Sequence, residues 1–170
     1  MTPKSLLRHK RCVSNISEFI SKSSFHRVLE DDAYKKESNL ISLKKDNQIK
    51  KVVMCSGKIY YDLIEEREKR KNNDIVFVRL EQLYPFPAKT LAKVLKKYTK
   101  AKFVWCQEEP KNMGAWNTVR NYIERTLEMI NFKDINIKYV GRSASSTTAT
   151  GNANKHLAQQ KEILEKIIKQ

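Results

Sequence analysis

The chain is poor in cysteine, and its three cysteines, Cys12, Cys55 and Cys106, lie far apart. An odd and unclustered set argues against a disulfide framework, and also against a structural zinc site, which needs closely spaced ligand pairs. Cys55 and Cys106 each lie within an apolar run, so we expect buried structural thiols at both positions. The pattern favours a structural role over catalysis or metal binding.

Long hydrophobic runs and glycine-rich segments are also missing. No stretch of about eighteen apolar residues occurs, which argues against a membrane-spanning helix. Leu6 and Leu7 are followed at once by the basic segment 8–11, so there is no secretory h-region and we expect a cytoplasmic protein. Only four glycines are present, and the spacings of glycine-rich nucleotide loops are absent.

The charge is unbalanced, because 34 lysine and arginine residues against 19 acidic residues give a net charge of +15. Much of it is scattered beside glutamate, as in segment 65–71, which indicates a solvated mixed face. No motif of a known nucleic-acid-binding module occurs, so we do not expect a nucleic-acid partner. A free-standing basic protein that binds nucleic acid or acidic partners is the alternative interpretation.

From Lys51 onward, short apolar runs alternate with segments of helical spacing. Segments 52–55, 75–78 and 103–106 are predicted strands, and the polar alternation of 135–140 predicts a fourth strand at a sheet edge. A segment of helical spacing follows each of these four predicted strands. This order predicts a three-layer α/β/α fold with a mainly parallel sheet of about five strands.

Residues 1–50 differ from residues 51–170 and are predicted to form an N-terminal arm. Segment 14–18 has a cap followed by a glutamate, which predicts a short helix through Phe19 and Ile20. Segment 30–50 is polar, and we expect a linker that buries only Leu40, Ile41 and Leu43.

The third predicted strand breaks abruptly into Gln107, Glu108 and Glu109, and Pro110 then ends the ladder. In open α/β sheets, ligands and partner domains dock at this edge. Because adjacent strand residues point to opposite faces, the two glutamates are not expected to act as an acid/base pair. We expect charge pairing instead, with a polar cluster that includes Arg79 and Glu81. Trp105 and Trp116 are expected in the core rather than stacked on a ligand.

Two further positions could bind an anion. Ser56 and Gly57 lie at a strand-to-helix turn, where helix amides favour negative charge, although a helix cap and tight turn is the favoured interpretation. Arg142 and Ser145 lie in a loop that could hold a phosphate or carboxylate, although a solvated arginine in a flexible loop is favoured. No complete catalytic set or metal cluster is visible, so the residues alone predict a docking or regulatory domain.

Five segments of the sequence are distinctive. They are Met-Thr-Pro-Lys-Ser-Leu-Leu-Arg-His at 1–9, Ser-Gly-Lys-Ile-Tyr-Tyr-Asp-Leu at 56–63, Val-Arg-Leu-Glu-Gln-Leu-Tyr-Pro-Phe-Pro at 78–87, Trp-Cys-Gln-Glu-Glu-Pro at 105–110 with Asn112 and Gly-Ala-Trp at 114–116, and Tyr-Val-Gly-Arg-Ser-Ala-Ser at 139–145. In this order they resemble the C-terminal region of E1 components of 2-oxoglutarate dehydrogenase. Segments 79–85 and 107–110 speak against the alternative of another thiamine-diphosphate enzyme, such as a transketolase or a branched-chain dehydrogenase.

The resemblance implies a transketolase C-terminal-like domain at 51–170, with the end of a pyrimidine-binding domain and a linker at 1–50. The whole enzyme of that family decarboxylates 2-oxoglutarate and transfers succinyl to the lipoyl group of E2, the dihydrolipoyl succinyltransferase, in the citric acid cycle. Its thiamine diphosphate, magnesium and catalytic histidines belong to earlier domains. We therefore expect this chain to hold no cofactor and no catalytic residue.

The resemblance also implies a homodimer and an effector site, since family members bind acetyl-CoA or a nucleotide. By position, Arg79, Arg142 and Ser145 are the candidates for that site, and Ser56, Gly57, Gln107, Glu108, Glu109 and Trp116 are candidates for structural or interface roles. Family chains extend several hundred residues further on the N-terminal side, so we expect a fragment or one half of a split enzyme, inactive alone.

Overall fold

The computed structural model describes residues 3–20, 22–35 and 38–169, so residues 1 and 2 of the predicted arm and 36 and 37 of the predicted linker lie outside it. A five-stranded sheet forms its centre, in the order β1-β3-β2-β4-β5. Strands β2 to β5 are parallel, and β1 is antiparallel to β3. The strands are β1 Val28–Leu29, β2 Lys51–Cys55, β3 Ile75–Leu80, β4 Lys102–Pro110 and β5 Lys138–Arg142.

Four α-helices cover both faces of the sheet: α1 Ile59–Lys69, α2 Ala88–Leu95, α3 Trp116–Met129 and α4 Ala153–Lys169. Helices α1 and α4 pack on the face that carries Val53, Phe77 and Cys106. Helices α2 and α3 pack on the other face, which carries Met54 and Trp105. The predicted three-layer α/β/α fold is confirmed, and the predicted edge strand is β5.

The strand β1 was not predicted. Its two residues, Val28 and Leu29, pair with Leu80 and Arg79 of β3. Two residues are too few to show a period of two, so the sequence revealed only an apolar segment there. The linker that follows is more tightly attached than expected, because Asp31 and Ile49 are buried as well as the partly buried Leu40, Ile41 and Leu43.

The predicted helix in the arm is a single 3-10 turn, Ile16–Phe19, which ends one residue earlier than expected. Asn15 caps it, since its side-chain oxygen accepts a hydrogen bond from the Ser17 amide at 3.0 Å. Phe19 and Ile20 are exposed. With no surface to bury its apolar side chains, the segment lacks the packing that sustains an α-helix.

Candidate functional site

The C-terminal ends of the parallel strands form one edge of the sheet, and a crevice opens there between β2 and β4. The chain leaves β2 through α1 towards β3 on one side, and it leaves β4 through α3 towards β5 on the other. Ligands of open α/β sheets usually bind at such a switch point. The crevice has a volume of about 340 Å³ and is lined by Ser56, Gly57, Leu83, Trp105, Gln107, Glu109, Gly114, Ala115 and Thr118.

Gln107 holds the wall of this crevice together. Its side-chain oxygen accepts hydrogen bonds from the Trp105 indole at 2.9 Å and from the Trp116 amide at 3.0 Å. Its side-chain nitrogen donates to the carbonyl oxygens of Pro110 at 3.1 Å and Met113 at 2.8 Å. A buried amide thus connects the end of β4 to the start of α3.

The two glycines of the crevice differ in their surroundings. Both have positive φ, at +76° for Gly57 and +65° for Gly114, a region that favours glycine. A Cβ atom at Gly114 would lie 3.0 Å from the side-chain nitrogen of Gln107, whereas a Cβ atom at Gly57 would meet nothing within 4 Å. Gly114 therefore permits a close approach, and Gly57 leaves open space above the β2–α1 turn.

The two glutamates separate to opposite faces, as predicted. Glu108 lies on the α1 side and pairs with Lys58 at 2.9 Å, and Lys58 also contacts Asp62 at 3.1 Å. Burial alone lowers the pKa of Lys58, but the hydrogen bond and charge of Glu108, together with Asp62, outweigh it and raise the pKa. Glu109 lines the crevice on the other face, so the predicted cluster with Arg79 and Glu81 is divided by the sheet.

Arg79 is held by aromatic rings on the α1 side. Its guanidinium lies 4.2 Å from the centre of the Tyr60 ring and 5.7 Å from that of Tyr61, and it pairs with Glu81 at 3.6 Å. Burial lowers the pKa of Arg79, and the neighbouring Tyr60, Tyr61 and Glu81 outweigh it, so the pKa is raised. One face of the Arg79 guanidinium is thus covered by the Tyr60 ring.

Arg142 lies on the same face as Arg79 but not beside it. Strands β2 and β4 lie between the two strands that carry them, so these strands are about 14 Å apart at the usual strand spacing. Arg142 also lies two residues further along its strand, since Val140 is level with Arg79. Arg142 is mostly buried and bonds to the Nδ1 atom of His156 at 2.9 Å. Ser145 is held by its backbone, which exchanges two hydrogen bonds with the Asn112 side chain. The three candidate effector residues therefore do not form one compact pocket.

Comparison with known proteins agrees with the resemblance. The family model described as 2-oxoglutarate dehydrogenase C-terminal matches residues 13–168. The chain belongs to this family. The 2-oxoglutarate dehydrogenase E1 component of Brucella anthropi is 54% identical over 165 residues, which are 97% of this chain and 16% of the relative. The E1 components of Brucella ovis and Brucella canis have the same identity and coverage. The chain therefore spans about a sixth of the length of these relatives.

For this member of the 2-oxoglutarate dehydrogenase C-terminal family, sequence reasoning missed several residues at the edge. Lys58, the residue just before α1, and Asp62 in its first turn are four residues apart, a spacing that predicts an ion pair. Gln160 donates to Asp62 at 2.8 Å, and His156 bonds to Arg142. Both lie on α4: Gln160 is 98 residues from Asp62, and His156 is 14 residues from Arg142 across the loop after β5. No local pattern in the sequence indicates either contact.

A metal-bound diphosphate and a membrane span each require features that can be sought in the described residues. A magnesium ion takes several oxygen ligands in octahedral geometry. Residues 3–20, 22–35 and 38–169 contain no group of three or more His, Cys, Asp and Glu side chains arranged to hold a metal ion. Among the helices in those ranges, none has the length and apolar character needed to cross a membrane.

Proposed function

We propose that this chain is the C-terminal domain of a 2-oxoglutarate dehydrogenase E1 component and serves it as a structural and regulatory part. The whole enzyme decarboxylates 2-oxoglutarate and transfers the succinyl group to the lipoyl group of E2 in the citric acid cycle. The observation that carries the proposal is the 54% identity over 97% of the chain. The crevice at the switch point, which has a structural amide at its wall, supports a docking role.

In this proposal, thiamine diphosphate and magnesium are bound by the preceding part of E1. This assignment is supported by the chemistry of the described residues 3–20, 22–35 and 38–169, where no three His, Cys, Asp or Glu side chains are grouped so as to hold the magnesium ion. Residues 1–50 complete the preceding pyrimidine-binding domain and link it to the transketolase C-terminal-like domain at 51–170. The partners are the preceding part of E1, a second E1 subunit in a homodimer, and the E2 dihydrolipoyl succinyltransferase, and the location is the cytoplasm.

The test compares the chain alone with a chimera. In the chimera, this chain replaces the matching 165 residues of the Brucella anthropi relative. With thiamine diphosphate, magnesium and 2-oxoglutarate present, we expect decarboxylation by the chimera and none by the chain alone. Turnover by the isolated chain would overturn the proposal, and so would a folded chimera that binds thiamine diphosphate but cannot turn over substrate.

We propose further that Arg79, Arg142 and Ser145 contribute to binding an anionic effector. Because the strands that carry the two arginines are about 14 Å apart, a ligand that reaches both must be extended and carry separated anionic groups. Acetyl-CoA is a suitable probe for calorimetric titration of the chimera. We expect Arg142→Ala and Arg79→Ala to weaken binding at least about tenfold. The exposed Arg125→Ala should bind as the parent does. Equal binding by all three variants would refute this assignment.

A further inference from the structure

The amino-terminal edge of the parallel strands lies opposite the crevice. The neighbouring strands β2, β4 and β5 begin at Lys51, Lys102 and Lys138. Lys51 is level with Lys102, and Lys138 is level with Val104 two residues further along β4, so all three side chains leave the sheet on the same face. Because parallel strands start where the preceding helices end, the connection from α2 to β4 and the connection from α3 to β5 also lie at this edge.

The surroundings of Lys51 show that positive charge is concentrated there. Its side chain is buried and donates a hydrogen bond to the Ile167 carbonyl, in the last turn of α4. Burial lowers the pKa of Lys51, and the charges of Lys138 and Lys102 lower it further, while Asp74 acts in the opposite direction. Lys102 and Lys138 are therefore close enough to the start of β2 to act on the charge of Lys51.

Four exposed lysines at this edge have no acidic partner. Their neighbour Lys97 pairs with Glu30, but none of the four forms an ion pair with any residue that the structure describes. The segments 96–102 and 130–138, in which they lie, contain a single acidic residue, Asp134. We call this set the lysine edge, and its members are Lys100, Lys102, Lys133 and Lys138.

Helix capping does not account for the lysine edge. Lysine side chains often bind the free carbonyl groups at the end of a helix, where the helix dipole is negative. Lys51 does so at the end of α4. The four members of the lysine edge lie outside the helices, and their ammonium groups donate to no carbonyl oxygen in the described part of the chain. Their charge is therefore free to meet a binding partner.

An extended acidic chain matches the spacing of these lysines. Lys102 and Lys138 begin neighbouring strands and are offset by two residues, so their Cα atoms are about 8 Å apart at the usual strand spacing and rise. Side chains two residues apart in an extended chain are separated by about 7 Å. Because the stem of lysine is long and flexible, two carboxylates of one extended segment can meet both charges.

The chemistry of the lysine edge favours an acidic polypeptide over a nucleic acid. All four cations are lysines, which lack the planar fork with which arginine binds phosphate on two sides. Proteins that bind single-stranded nucleic acid stack the bases on aromatic side chains. No exposed aromatic residue lies in segments 96–102 and 130–138. The edge thus offers separated point charges without a surface for base stacking.

We propose that the lysine edge is a docking surface for an acidic segment of a partner polypeptide. The segment lies extended along the amino-terminal edge of the sheet, and its Asp and Glu carboxylates pair with the four lysines. The surface is separate from the crevice and from Arg142, and the inference does not rest on the proposed function. Salt should weaken the binding, since charges at an exposed surface are screened over about 8–10 Å at physiological ionic strength.

The test uses a fluorescein-labelled oligoglutamate peptide, whose binding is measured by fluorescence anisotropy with the chain and with the chimera. The edge variant reverses three charges, through Lys100→Glu, Lys102→Glu and Lys138→Glu. The control variant changes the net charge equally at exposed lysines elsewhere on the domain, through Lys89→Glu, Lys155→Glu and Lys161→Glu. We expect the edge variant to bind at least about tenfold more weakly than the parent, and the control variant to lose less than about threefold.

A neutral variant guards against misfolding of the reversed one. It carries Lys100→Gln, Lys102→Gln and Lys138→Gln, and it should also bind more weakly than the parent, by about threefold or more. All variants should unfold in urea at the midpoint of the parent, because the substituted side chains are exposed. Unchanged binding by the neutral variant would contradict the inference even if the reversed variant unfolds.

The other outcomes also decide the question. Equal weakening in the edge and control variants would show that net charge alone governs binding, and no binding by the parent would show that no such surface exists. Tighter binding of a DNA duplex than of the peptide, lost in the edge variant, would assign the edge to nucleic acid. Binding by the chain but not by the chimera would show that the edge is covered in the larger protein. Each of these results overturns the inference, whether or not the chimera is active.

Discussion

Arg67, in the last turn of α1, forms a bidentate ion pair with Asp31, the second residue after β1. Both side chains are completely buried. The Asp31 carboxylate also accepts a hydrogen bond from the Phe77 amide of β3 at 2.8 Å, and Arg67 donates to the Ile75 carbonyl at 3.2 Å. The guanidinium lies 4.9 Å from the centre of the Phe77 ring. The pair therefore attaches the linker to strand β3.

Breaking this pair should destabilise the domain strongly. Asp31→Ala leaves the Arg67 charge buried without its partner, which costs about 3–5 kcal/mol. Urea unfolding followed by tryptophan fluorescence measures this loss. The control Arg70→Gln breaks the partly exposed pair with Glu66 and should cost less than about 1 kcal/mol. Equal losses in the two variants would show that the buried pair does not secure the linker.

Substitution by alanine should reduce the stability of the domain less at Gly57 than at Gly114. Gly57→Ala suffers only the strain of a positive φ, about 1–2 kcal/mol. Gly114→Ala suffers the same strain and also crowds Gln107 and Glu109, which adds about 1–3 kcal/mol. The free energy of unfolding in urea distinguishes them. A Gly57→Ala variant as unstable as Gly114→Ala would contradict the open space above the β2–α1 turn.

The three thiols should differ in reactivity. Burial raises the pKa of Cys55 to about 12 and raises that of Cys106 well above its usual value. Cys12 is only partly buried. At pH 8, iodoacetamide should modify Cys12 quickly, and Cys55 and Cys106 only after unfolding in urea, as followed by mass spectrometry. Native Cys12→Ser should show no fast-reacting thiol, and rapid labelling of Cys55 in that variant would contradict the structure.

Ionisation of Tyr139 should lower the free energy of unfolding at alkaline pH. Its hydroxyl donates to the Arg142 carbonyl at 2.8 Å, and burial raises its pKa to about 12, against about 10 in the unfolded chain. Between these values the folded state holds a proton that the unfolded state has lost, so stability declines as pH rises from about 10 to 12.

The matched variant is Tyr139→Phe, which removes the hydroxyl and keeps the ring. At pH 8 it should show only a constant loss from the missing hydrogen bond, about 1 kcal/mol. From pH 10 upward its unfolding free energy should decline less steeply than that of the parent. Parallel pH profiles for the two proteins would exclude Tyr139 as a source of the alkaline instability.

The sequence alone determined the layered fold and the edge of the sheet at which the crevice opens. Both faces of β2, β3 and β4 are buried, so every residue in the runs 52–55, 75–78 and 103–106 is apolar. An unbroken apolar run can be recognised in the sequence without the structure. The abrupt change to polar residues at Gln107 marked the edge of the sheet correctly. Such signals depend only on neighbours along the chain.

The tertiary structure decided which distant residues meet. Asp31 is 36 residues from Arg67, and both look like surface residues in a charged sequence until β1 and α1 place them together. Likewise, Arg79 and Arg142 each lie in the last two residues of a strand. The strand order, which no local period encodes, places them on either side of β2 and β4. Contacts between separate elements depend on topology, because the free energy of packing is set by surfaces that only the folded chain brings into contact.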